Sequence, residues 1–74
     1  MAKYIIKNNL PTKYIDSHKV DFETPNQAKK FFNYLVGLLA DEYTTKVVFR
    51  NKPLRGTIQV QIDGFYYYVE LYKE

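Results

Sequence analysis

The sequence contains no cysteine. That excludes disulfide staples, Cys-ligated zinc and thiol nucleophiles. Glycine is scarce: Gly37, Gly56 and Gly64 stand alone, so there is no Gly-rich loop to cradle a phosphate. Histidine occurs once, at His18. A zinc site would have to borrow carboxylates such as Asp16 and Asp21, against the preference of structural zinc for Cys and His. Long apolar runs are missing too. The greasiest stretch, residues 34–40, is far short of the ~20 residues a membrane helix needs, and no basic segment leading into an apolar run marks a secretory signal. A cytoplasmic protein with no membrane association is expected. Nor does one sign of charge dominate, since eleven Lys and Arg face eight Asp and Glu, a surplus of three. That mild bias excludes a DNA-mimicking inhibitor, which needs a dense acidic surface, and on its own it does not imply nucleic-acid binding.

Seventy-four residues with no internal repeat or linker-like tract imply one domain, 1–74. A chain this short buries only about 60% of its unfolded surface, so its stability margin is thin. Aromatic side chains are abundant: 18% of residues, with eight tyrosines and five phenylalanines. A tyrosine combines a large apolar ring with a polar tip, which suits half-buried sheet surfaces and interfaces. The enrichment in Lys, Asn, Ile, Tyr and Phe, whose codons are A/T-rich, points to a low-GC bacterium or to a phage or plasmid living in one.

The spacing of apolar residues predicts the elements. Residues 3–7 read as a short strand closed by Asn8, Asn9 and Pro11, and residues 19–23 alternate as a half-buried strand. Thr24 is a good N-cap, Pro25 suits the first helical position, and Gln27 completes a capping box. Ala28, Phe31, Phe32, Leu35, Val36 and Leu39 then form one apolar stripe, and Asp41 and Glu42 mark the stop. Gly37 inside this helix is expected to mark close packing against the sheet. Residues 44–50 are rich in β-branched side chains, Asn51, Pro53 and Gly56 signal a turn, and residues 57–62 alternate strictly. Asp63-Gly64 is a strong type I′ hairpin signal, from which residues 65–72 return as the last strand. The expected fold is α+β in two layers: one amphipathic helix on a mostly antiparallel β-sheet of four to five strands that ends in a three-stranded meander. The strand order and the path of residues 8–18 are not readable.

The two-residue turn assigns the faces. Ile62 should oppose Phe65, Val60 oppose Tyr67 and Ile58 oppose Val69, and opposed residues share a face. The core face is therefore Ile58, Val60, Ile62, Phe65, Tyr67, Val69 and Leu71, joined by Thr45, Val47 and Phe49. The other face carries Tyr66, Tyr68, Tyr72, Gln59 and Gln61, beside Lys46, Val48 and Arg50, with Lys52 and Arg55 at its rim. These nine polar and aromatic residues are the candidate binding site. Tyr and Arg are enriched in protein–protein hot spots, while stacking rings beside cations are also the chemistry of single-stranded nucleic-acid binding.

Enzyme chemistry finds little support. Asp16-Ser17-His18 holds the three residue types of a hydrolytic triad, but sequence neighbours cannot converge as nucleophile, base and orienter do. The reading is a non-enzymatic inhibitor or adaptor that needs no cofactor or metal and covers a protein partner with its Tyr/Gln/basic face. Single-stranded DNA or RNA binding on the same face is the alternative, and a structural homodimer is the third. Against all three stands an ordinary solvated face, or one covered by the apolar N-terminal segment with its Tyr4, Ile5, Ile6, Leu10, Tyr14 and Ile15.

Overall fold

Alternating apolar and polar residues become five strands, and the stripe of 3.6-residue period becomes a helix. A computed structural model describes residues 3–11 and 17–74. In chain order the elements are β1 (Tyr4–Asn8), β2 (Lys19–Phe22), α1 (Pro25–Ala40), β3 (Thr44–Arg50), β4 (Arg55–Ile62) and β5 (Phe65–Lys73). The strands form one open antiparallel sheet in the order β2-β1-β5-β4-β3, with α1 packed on one side, so the fold is α+β as expected. Tyr14, Ile15 and Asp16, named in the sequence analysis, lie outside the described residues. Among the described residues no helix is long and apolar enough to cross a membrane.

Local chemistry sets the boundaries. Asp63 and Gly64 have φ of 52° and 85°, the positive pair that a type I′ turn demands. The turn pairs Ile62 with Phe65, Val60 with Tyr67 and Ile58 with Val69, the register that the alternation predicts. At the start of the helix, Gln27 N donates to Thr24 Oγ1 at 3.2 Å, with Pro25 in the first turn. At its end, the Asp41 N–H reaches back to Gly37 O, and Tyr43 N donates to Leu39 O at 2.9 Å.

Ala28, Phe32, Leu35 and Leu39 of α1 meet Ile6, Ile58, Val60, Ile62, Val69 and Leu71 of the sheet, with Leu10 and Leu54 closing the ends. Burying a Leu, Ile or Phe side chain contributes roughly 1.5–3 kcal/mol each, so this cluster is the main source of stability. Gly56 is not the turn residue its sequence context suggests. It is buried within β4, directly beneath the Phe32 ring, and a Cβ there would lie 2.7 Å from Phe32 Cζ.

Three expectations need correction. Val47 and Phe49, assigned to the core, are exposed, although Phe49 keeps a ring contact with Phe32 at 5.8 Å. Phe65, beside the hairpin turn, is exposed as well. All three project from the helix side of the sheet, but a helix is only about 10 Å across. Five strands spaced by ~4.8 Å span roughly 20 Å, so one helix leaves an edge and a corner bare. Gly37 does not mark close packing either, because a Cβ there would meet nothing within 4 Å.

Candidate binding face

The strand register arranges the face opposite α1 as a grid. Tyr66 stands beside Gln61 and Thr44, and Tyr68 beside Gln59 and Lys46. The next row runs Val48, Thr57, Glu70, Lys7, Lys19, and the last runs Arg50, Arg55, Tyr72, Ile5, Asp21. Tyr66 and Tyr68 are 55% and 48% exposed. Tyr72 is half-buried: Lys7 Nζ lies 5.9 Å from its ring centroid, and Ile5, its neighbour across the strand pair, is buried.

Two asparagines hold the corner next to Tyr68. Tyr68 N donates to Asn9 Oδ1 at 2.7 Å, and Asn9 N donates back to Tyr68 O at 3.3 Å. The buried Asn8 receives Leu10 N on its Oδ1 at 3.2 Å and donates from Nδ2 to Ser17 O at 3.3 Å. Its backbone N–H donates to His18 O, and His18 Nε2 donates to Leu10 O at 3.1 Å, since a carbonyl can only accept. His18 is therefore a residue of the approach to β2. Together these groups tie β1 and β2 to the flank of Tyr68, where Lys7, His18, Lys19 and Glu70 line a hollow of about 450 Å³.

The electrostatics of this face are lopsided. Its five cations, Lys7, Lys19, Lys46, Arg50 and Arg55, meet two carboxylates, Asp21 and Glu70, a surplus of three that equals the net charge of the entire chain. Arg55 Nη2 pairs with Glu70 Oε1 at 3.3 Å, both well exposed, which makes this a weak contact. Arg50 sits directly across from Arg55 and has no carboxylate partner among the described residues. Like charges opposed across strands are destabilising, and an incoming carboxylate or phosphate would relieve the strain.

Of the nine residues singled out from the sequence, eight lie together on this face. Lys52 lies apart, in the β3–β4 turn, where it lines a hollow on the helix side with Tyr4, Pro25, Lys29 and Lys73. Sequence reasoning missed Lys7 and Lys19, because nothing in the chain says that β1 lies against β5. Residues 3–11, the described part of the N-terminal segment, do not lie across Tyr66 and Tyr68. They run within the sheet, sending Ile6 and Leu10 into the helix-side core. Among the described residues no three His, Cys, Asp or Glu side chains gather as a metal site. No family model matches the chain, and neither the curated proteins nor the solved structures contain a significant match.

Proposed function

We propose that the protein is a small non-enzymatic binding protein of the inhibitor or adaptor type, whose tyrosine face covers an acidic surface of a protein partner. The observation that carries this reading is the concentration of the chain's positive surplus on the one face that also presents exposed tyrosines. Exposed rings supply contact area at little entropic cost, and Arg50, with no carboxylate partner among the described residues, is open to one from outside.

Single-stranded nucleic acid is the second reading, favoured by Tyr66 and Tyr68. They are two residues apart on one strand and offer two open rings to bases. Glu70 weighs against it, because it stands between Tyr68 and Tyr72 on the path a phosphate backbone would follow. A folded acidic partner with mixed charges tolerates that carboxylate better.

The test presents the immobilised chain to a lysate of a low-GC bacterium, with and without nuclease, at low and moderate salt. Tyr68→Ser and Arg50→Glu variants run in parallel. The expected result is a protein that survives nuclease and is retained by the parent but by neither variant. Retention that vanishes with nuclease and falls steeply with salt would transfer the face to nucleic acid. Folded variants that hold everything the parent holds would remove the face as the site.

A further inference from the structure

The sheet stays open at β3. Its inner side is fully paired, Thr44 to Arg50 against Gln61 to Arg55, so among the described residues no strand lies beside the alternate N–H and C=O groups on its outer side. Two of the usual protections of an edge are absent, since the seven residues include no proline and the register runs without a bulge. Charge is present, at Lys46 and Arg50, and any pairing has to accommodate it. Apolar side chains stand out on both faces. Val47 and Phe49 are 40% and 45% exposed on the helix side, and Val48 is 60% exposed on the tyrosine side. The other edge differs, since β2 has only four residues and its exposed positions are Lys19 and Asp21.

The charge pattern of β3 admits a second copy of the strand and selects its register. Two copies related by a twofold axis perpendicular to the sheet pair antiparallel, and opposed side chains must share a face, so the axis has to pass beside a residue. Centred on Lys46, two lysines oppose each other. Centred on Val48, Lys46 opposes Arg50. Centred on Val47, the valines meet, Thr45 meets Phe49, Lys46 meets Val48, and Thr44 meets Arg50. Only that register pairs the whole strand while keeping every cation opposite a neutral residue, and it forms the β-branched and aromatic pairs that stabilise sheets.

We propose that β3 pairs antiparallel with β3 of a second copy, centred on Val47, so that two five-stranded sheets become one continuous sheet. Both helices then lie on one side and both tyrosine faces on the other, which doubles the basic aromatic platform. The dimer is independent of the partner reading and forms with no other molecule present.

The absence of cysteine makes the register directly testable. Val47→Cys sets the two new thiols opposite each other, with Cα atoms about 4.5–5.5 Å apart, inside disulfide range. Thr45→Cys sets them about 14 Å apart, out of reach. Under mild oxidation at high micromolar concentration, Val47→Cys should become a covalent dimer and Thr45→Cys should not. The parent should sediment at twice the monomer mass. Val47→Lys, which brings two ammonium groups face to face, should sediment as a folded monomer with an unchanged far-UV circular dichroism spectrum. A monomeric parent, the result if the edge serves a foreign strand or stays bare, overturns the proposal. So does equal cross-linking of the two cysteine variants, or a dimer that survives Val47→Lys.

Discussion

Two glycines show how far a residue's meaning depends on what lies above it. Gly56 is buried beneath Phe32, and any Cβ there meets the ring well inside contact distance, at 2.7 Å from Cζ and 2.9 Å from Cε1. Phe32 is itself buried and cannot swing into solvent. Gly56→Ala should therefore destabilise the fold by about 1–3 kcal/mol, the usual cost of overpacking a core. Gly37 is the opposite case, since a Cβ there meets nothing within 4 Å and the position is exposed. Gly37→Ala should stabilise by roughly 1 kcal/mol through helix propensity. Urea titrations of the two variants check both signs, and a Gly56→Ala chain as stable as the parent would mean that Phe32 does not rest on β4. Helical geometry in the sequence already holds part of this answer. At 3.6 residues per turn, Gly37 lies about 140° around the helix from Phe32, on the outer face. No sequence pattern places Phe32 over Gly56, a contact between elements far apart in the chain.

At the scale of elements, what is legible is what is local. The Thr24 cap, Pro25 and the apolar stripe define α1 within a few residues of each other, and Asp63-Gly64 sets the β4–β5 register by its own backbone geometry. Gly64→Val should damage the fold, because a β-branched residue resists a φ of 85°. Asp63→Asn should be neutral, since Asn accepts positive φ as readily as Asp. Thermal melts distinguish the two, and a valine variant with the parent's melting temperature would undo the turn and the face assignment built on it. The place of β1 is not legible, because its pairing with β5 joins residues more than sixty positions apart, such as Tyr4 and Lys73. Lys7 and Lys19 therefore escape a reading of the basic face that follows the chain. Alternation in β3 says which side Val47 and Phe49 occupy; whether anything covers that side depends on where a single helix comes to rest.

At the scale of the molecule, the sheet divides the work between its two sides, and the tyrosine side divides again. Tyr72 belongs to the foundation, half-buried beside the buried Ile5 and with Lys7 over its ring. Tyr66 and Tyr68 stand largely in solvent on the same strand. Replacing each by serine separates these roles. Tyr66→Ser and Tyr68→Ser should each change stability by no more than about 1 kcal/mol, because exposed substitutions usually stay near 0.5 kcal/mol and some cross-strand packing is lost as well. Tyr72→Ser removes a ring that packs on the sheet and should cost about 2 kcal/mol, below the 3–5 kcal/mol of a fully buried aromatic. Chemical denaturation of the three variants gives the order, with Tyr72→Ser clearly the worst. A loss of 3 kcal/mol or more at Tyr66 or Tyr68 would show that something in the folded chain covers them, and the face would then have no free rings to offer a partner. If the order holds, the fold does not depend on Tyr66 and Tyr68, which leaves both rings open to a partner as the proposed function requires.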